Sequence, residues 1–426
     1  MKCTVPICNL DDLAIDDAHR RALDILQAGL DAAHPAAALS RRTRDGAILV
    51  RGEWVDLTPY DVNVVAFGKA AGVMADTVCH KIDVSDGMVV VPSGAPAGPD
   101  TLRTLYASHP LPDQSSVDAA NAVIEFLGGM NESNYVIFLV SGGASSLLCK
   151  PAGISLEQKQ DTYKMLLDAD ISIESINAVR KHLSGIKGGQ LVSGLRCKAA
   201  SLIMSDVPRN DPSTIASGIT YCDVTTFSDA LAVLNMNEFA GRVLPDVYQQ
   251  IQRGVAGDLD ETPKEPMIPN EVIATNEDCL AAMSNKASLM GYTPTIYRTN
   301  RDVRDVAGML ANEAKNMGRC IIFGGEPTVR VQGSGLGGRS QELVLRTLAA
   351  SVDAGNAAVV ASMGTDGIDG NTQYAGAIMR GPCIDVKFAD AALKSSDSNS
   401  YFVRYGGLIY TGHTGTNLMD IGILLT

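Results

Sequence analysis

"VNVVAFGKAAGVMADTV", residues 62 to 78, decides the fold: an apolar run stops at Gly68 and Lys69 and gives way at once to a helical pattern. Val64, Val65, Ala66 and Phe67 follow one another without alternation, the pattern of a strand covered on both faces, as parallel strands of α/β proteins are. Three more stretches repeat it. "GMVVVPSG" (87 to 94), "NYVIFLVSGGASSLL" (134 to 148) and "KAASLIMSDV" (198 to 207) each run from a buried strand into a loop of Gly, Ser or Asp. Such strands, alternating with helices, predict an α/β fold with a doubly wound parallel sheet. Open sheets of this kind bind ligands where strand C-terminal ends open into loops, which makes Lys69, Ser141 to Ser145 and Asp206 candidates by position.

Further along, "VAGDLDETPKEPMIPNE" (255 to 271) is polar and rich in Pro, and the boundary of a first domain is placed there. The second half then resumes the strand and helix rhythm with "VIATNEDCLAAMSNKASLMGY", "CIIFGGEPTVRVQ" and "AAVVASMGTDGIDG". A chain of 426 residues exceeds one hydrophobic core, and at about 150 residues per domain two is the working number.

Composition narrows the function. A net charge of −13 repels phosphate backbones and anionic membranes, so neither nucleic acid nor lipid is expected as partner. An anionic small substrate then needs a locally positive site. The nine Cys form no C-x-x-C pair, as expected of reduced thiols in a cytoplasmic protein without structural zinc. The start, "MKCTVPICNLDDLAID", lacks an apolar signal region, and the longest clean apolar run, "YVIFLV", is far too short to span a bilayer.

"VQGSGLGGRSQE" (331 to 342) poses the sharpest chemical question, because Gly333, Gly335 and Gly338 stand in G-x-G-x-x-G spacing after a strand-like "TVRV". A dinucleotide turn follows a fully buried strand, whereas Val329 and Val331 alternate with polar residues. Asp353 stands roughly where a ribose ligand belongs. The other readings are a plain structural turn, or an anion site in which Gly335 and Gly337 offer peptide N–H groups and Arg339 adds a guanidinium at a helix start.

Lys69 sets an ammonium at a strand-to-helix turn without the Walker A pattern, and Ser141, Gly142, Gly143 and Ser145 form a second small-residue loop. Carboxylates complete the set. "SDVPRNDPSTIASG" carries Asp206, and "GTDGIDGNTQ" carries Asp366 and Asp369; such oxygen ligands suit a Mg²⁺ ion that bridges substrate phosphates, although Asp-Gly loops also occur as simple turns. His109 and His182 read as structural. Asn177, Arg180 and Lys187 in "NAVRKHLSGIKGGQL" are further binding candidates within a basic patch.

Taken in order, "FGKAAGVMA", "SHPLPD", "SGGASSLL", "NAVRKHLSGIKGGQL", "SDVPRNDPSTIASGIT", "GGEPTVRVQGSGLGGRSQE", "GTDGIDGNTQYAGA" and "TGHTGTNLMDIGI" resemble the class II glycerate kinases, the glycerate 2-kinase family with a C-terminal MOFRL region. Members are also labelled hydroxypyruvate reductases. The resemblance implies a Rossmann-like N-terminal domain (1–260), a C-terminal α/β domain containing MOFRL (261–426), and an active site in the cleft between them. It implies ATP- and Mg²⁺-dependent phosphorylation of D-glycerate, normally to 2-phosphoglycerate. Lys69 and Arg339 match the family's catalytic pair; Asp206 is the candidate for the metal or the substrate hydroxyl, and Asp366 the other metal candidate. Ser141, Gly142, Gly143, Ser145, Gly335 and Gly337 are assigned to nucleotide or phosphate, and Asn177, Arg180 and Lys187 to substrate.

Arg209, Asn210, Ile219, Ser340 and His413 depart from the family's usual residues, so a related sugar acid stays open as acceptor. An NAD(P)H-dependent hydroxypyruvate reductase and a non-catalytic sugar-acid binding protein are the competing readings. Self-association into a homo-oligomer stays open.

Overall fold

The structure, a computed structural model, describes residues 6–169, 171–236, 239, 241–351, 358–381 and 384–426. Asp353, the expected ribose ligand, lies outside the described residues. The chain divides into two compact units, one of residues 39–205 and 209–273, the other of residues 1–38, 206–208 and 274–426.

The first unit is built on a six-stranded sheet of β1 (Asp61–Phe67), β2 (Asp86–Pro92), β3 (Arg103–Ala107), β4 (Asn134–Val140), β5 (Lys198–Met204) and β6 (Asn270–Ala274), in the order β3-β2-β1-β4-β5-β6. The pairings from β3 through β5 are all parallel. Both faces of the central strands are covered, which is why Val64 to Phe67 and Val136 to Leu139 are fully buried and why their sequence does not alternate. The strand order reverses between β1 and β4, where Phe67 lies beside Val140 at the C-terminal ends. A doubly wound sheet has its ligand crevice at that reversal. Helix α1 (Asp17–Ala33) belongs to the other unit; here α2 (Ala71–Cys79) follows β1, α3 (Gln114–Gly128) precedes β4, and α4 (Leu156–Leu167) and α5 (Ile173–His182) lie between β4 and β5. A small antiparallel sheet of Thr43–Arg44, Ala47–Val50 and Glu53–Asp56 completes the unit.

The second unit holds a mixed sheet of β7 (Pro294–Thr299), β8 (Cys320–Gly325), β9 (Val359–Gly364), β10 (Gly376–Arg380), β11 (Leu408–Ile409) and β12 (Asp420–Leu425), in the order β7-β8-β12-β9-β10-β11. Only β7 and β8 pair in parallel; β12 runs antiparallel between β8 and β9. Helix α1 packs on α6 (Asn276–Leu289) and β12, while α7 (Val303–Glu313) packs on α8 (Arg339–Ser351).

Two details depart from the sequence reading. "TVRV" is not a strand: Thr328 makes one isolated bridge to Asp302 and the residues after it pair with nothing regular, so the alternation of Val329 and Val331 had no neighbouring edge to act on. The "VIA" run at the start of the expected second domain is instead the edge strand of the first unit's sheet. No helix among the described residues is long and apolar enough to cross a membrane, and Cys8, Cys79, Cys149, Cys197, Cys222, Cys279 and Cys320 are free thiols.

Candidate active site

At the end of β1 the chain must turn sharply against β4. Gly68 has φ 125°, and a Cβ there would lie 2.2 Å from Ser141 Oγ, so only glycine fits. Hydrogen bonds then stitch the two loops together: Lys69 N–H donates to Gly142 O (2.8 Å), Ala70 N–H to Ser141 Oγ (3.0 Å) and Ser141 N–H to Phe67 O (3.1 Å). A Cβ on Gly143, at φ 85°, would sit 3.1 Å from His109 Cδ2 and 3.3 Å from Lys69 Cγ. The lysine stem and the imidazole therefore flank this glycine. Among the described residues, the peptide N–H groups of Gly142 and Gly143 have no protein acceptor. A lysine beside such donors, at the switch point of a parallel sheet, suits phosphate oxygens.

Ser145 continues the loop. Its hydroxyl shares a hydrogen bond with Ser217 (2.8 Å), Ser217 Oγ donates to Asn177 Oδ1 (3.4 Å), and Lys187 Nζ donates to Ser145 O (2.8 Å). Ser145 is thus tied to Lys187 directly and to Asn177 through Ser217, which the sequence reading did not single out. Ala216 and Ser217 both hold left-handed backbone, φ 53° and 55°. Non-glycine residues adopt this conformation at a cost and keep it only where the surroundings enforce it. Arg180 lies over the ring of Tyr163, 4.2 Å from its centre.

In the second unit, Arg339 is the first residue of α8. Its Nε and Nη2 donate to Asp420 Oδ2 (2.5 Å) and Oδ1 (3.1 Å), and Nη1 donates to Glu326 Oε1 (2.7 Å). Burial works against the guanidinium charge, but the two carboxylates outweigh burial and hold it above its ordinary value. Burial likewise pushes the Asp420 carboxyl up, with Arg339 pulling it back. Glu326 and Asp420 were not assigned from sequence. Glu326 could have been: it stands directly after the apolar run "CIIFGG", at the C-terminal end of β8.

The expected donors of the Gly-rich loop are already engaged. Gly335 N–H donates to Ser395 O (3.2 Å), Leu336 N–H to Asp397 Oδ1 (3.0 Å) and Gly337 N–H to Asn371 Oδ1 (2.9 Å). At the helix start, Asp369 Oδ1 and Oδ2 accept from the N–H groups of Ser340 (2.9 Å) and Gln341 (2.8 Å). The anion at this helix is the protein's own carboxylate, which corrects the picture of open N–H donors awaiting phosphate beside Arg339.

Asp206 follows β5 and is partly exposed; Asp366 lies on the turn after β9, where its Oδ1 accepts from Ile368 N–H (3.1 Å). Among the described residues no group of three or more His, Cys, Asp or Glu is arranged to hold a metal ion. Asp206 and Asp366, the two metal candidates, are therefore part of no such group.

A domain family of unknown function, DUF4147, matches residues 21–252, and the MOFRL family matches residues 319–420. The chain is 34% identical to a protein named glycerate 2-kinase from Pyrococcus horikoshii, over 95% of this chain and 98% of that one. It belongs to the glycerate 2-kinase family. The crystal structure of the glycerate kinase from Thermotoga maritima superposes with a TM-score of 0.78 at 32% identity, over 94% of this chain and 97% of that one. A relative from Agrobacterium vitis, 36% identical over 85% of this chain and 86% of its own, is named putative hydroxypyruvate reductase. Both labels expected for the glycerate 2-kinase family from the ordered motifs are therefore present among its relatives.

Proposed function

We propose that this protein transfers the γ-phosphoryl group of ATP to a hydroxyl of D-glycerate, giving 2-phosphoglycerate, or to a closely related sugar acid. One observation carries the reading: a Gly68–Lys69 turn faces unengaged Gly142 and Gly143 N–H groups at a sheet switch point, in a chain matching glycerate 2-kinases almost end to end. Phosphoryl transfer needs positioning and charge neutralisation more than covalent chemistry. Lys69 and the Gly142 and Gly143 amides take phosphate oxygens. Arg339 has three of its five N–H donors on Asp420 and Glu326, and the other two are those we assign to a substrate anion.

The acceptor oxygen bonds to the γ-phosphorus as the bridging oxygen leaves with ADP, and Asp206 is our candidate to receive the hydroxyl proton. When bound, Mg²⁺ shields phosphate charge; Asp206 and Asp366 are its proposed ligands. Against hydride chemistry stand the engaged N–H groups of the 333–338 loop and the absence of a strand before it. The test incubates purified protein with ATP, Mg²⁺ and a panel of sugar acids, beside NADH or NADPH with hydroxypyruvate. ADP release dependent on D-glycerate is expected. Hydroxypyruvate-dependent NADH oxidation faster than any ATP-dependent turnover overturns the reading.

A further inference from the structure

Next to the Ser145 loop the first unit holds a small, partly open cavity, with room of about 30 Å³ for water-sized groups, whose walls include Ser145, Lys159, Tyr163, Arg180 and Lys187. Three of these are cations, and no carboxylate is among the lining side chains. Lys187 and Lys159 are buried, 1% and 9% exposed, and each ammonium has a peptide carbonyl as partner: Ser145 O for Lys187 at 2.8 Å, Leu183 O for Lys159. A carbonyl engages one of three N–H donors and offers only partial charge. Arg180 rests on an aromatic face, which likewise carries no formal charge.

Burial of a cation is costly unless an opposite charge accompanies it. The same helix shows how this chain meets that need elsewhere. Lys181, equally buried, has the Asp223 carboxylate 3.1 Å away, and His182 has Glu261 at 3.1 Å. Among the described residues the cavity trio has no such partner. The consequence registers on the groups themselves: burial and the neighbouring Arg180 hold Lys187 well below the usual lysine range, and burial pushes Lys159 down to about 8, with Arg180 again adding to the effect. In a chain of net charge −13, this is a cluster of three basic side chains whose charged forms an incoming anion would stabilise. Leu166, Val179 and Leu183 supply apolar wall between the cations, so the space favours a compact ligand. Ser145, whose carbonyl holds Lys187, is in turn fixed by Ser217 with its left-handed backbone.

We propose that this cavity binds a compact oxyanion, phosphate or carboxylate, on Lys159, Arg180 and Lys187. Arg180 and Lys187 are residues that the family resemblance assigns to substrate, so the proposal deepens the proposed function; a chain that phosphorylated nothing would still bind the anion here, which keeps the two tests distinguishable.

The test is calorimetric titration of the full chain with inorganic phosphate and, separately, with D-glycerate, at constant ionic strength and neutral pH. Arg180→Gln, Lys159→Met and Lys69→Met are titrated beside it, each first shown to be folded by circular dichroism. At least one anion is expected to bind one per chain, with Arg180→Gln and Lys159→Met each weakening it tenfold or more and Lys69→Met leaving that binding in place. The anion with the higher affinity names the source. Should Arg180→Gln not fold, Lys159→Met decides alone. No binding of either anion, or binding insensitive to the cavity variants, overturns the proposal.

Discussion

Asp369 stands at the start of α8 where a phosphate stands at other helix N-termini, accepting two peptide N–H groups and thereby fixing the residue before them, Arg339. Burial pushes its carboxyl up to about 6, against the lowering effect of the Gln341 and Ser340 N–H groups. The native protein then holds a proton on Asp369 between about pH 4 and 6 that the unfolded chain releases. Stability from this group is accordingly greatest at low pH and is lost as pH rises through about 6, a difference of about 3 kcal/mol. Asp369→Asn removes the effect. Denaturant unfolding of both proteins is expected to show the wild type gaining on the variant by that order between pH 7 and pH 4.5; parallel stabilities at the two pH values would contradict it. Arg339 makes a second prediction. One lysine ammonium cannot span both oxygens of Asp420 and also reach Glu326. Arg339→Lys is expected to lower kcat tenfold or more, about 1.4 kcal/mol in barrier, and to lower stability by about 1–3 kcal/mol because buried Asp420 loses its fork. Steady-state kinetics and unfolding curves check both parts, and a variant unchanged in both would remove Arg339 from catalysis and from the scaffold.

Turns between elements carry the next level of argument. The β1 to α2 turn is rigid because Gly68 admits no side chain and the Lys69 and Ala70 amides are tied to the loop after β4. Gly68→Ala adds a methyl against Ser141 and forces a non-glycine residue to φ 125°. An unfolding loss of about 1–3 kcal/mol is expected, together with a fall in kcat, since Lys69 moves with the turn. Thermal melts and kinetics measure it; a variant matching wild type in both would show that the turn has slack. This turn and the parallel strands were legible in the sequence because an unbroken apolar run of strand length needs no distant partner to be read. "TVRV" misled for the opposite reason: alternation creates a strand only where another edge is available, and no local pattern reports that edge. Arg339 was legible as a residue but not as an interaction, since Asp420 is 81 positions away and itself looks like an ordinary acid before a strand.

On the scale of the whole chain, linear order and packing diverge. Reading along the sequence assigned residues 1–260 to one domain, yet helix α1 lies in the unit formed by residues 274–426. It packs on α6 and β12, Thr416 Oγ1 donates to Ala33 O at its end (2.6 Å), and Arg380 pairs with Asp16, its N-cap, at 2.5 Å. Composition cannot disclose this, because contact between residues some 250 positions apart leaves no trace in a local window. The energetic consequence is large. Leu23, Ile25, Leu26 and Leu30 are essentially unexposed, and burying four such side chains contributes about 6–12 kcal/mol at roughly 1.5–3 kcal/mol each. That matches the whole stability of a typical domain, about 5–15 kcal/mol. Removing residues 1–38 should therefore unfold the unit of residues 274–426, exposing the faces of α6 and β12 that α1 covers. The six-stranded sheet of the first unit, whose core α1 does not help to build, should survive. Limited proteolysis of the chain beginning at residue 39 is the measurement: rapid cleavage within 274–426 and a resistant fragment spanning about 39–273 are expected. Equal resistance of the two regions, with an unchanged melting temperature, would mean that α1 adds little to the unit it joins.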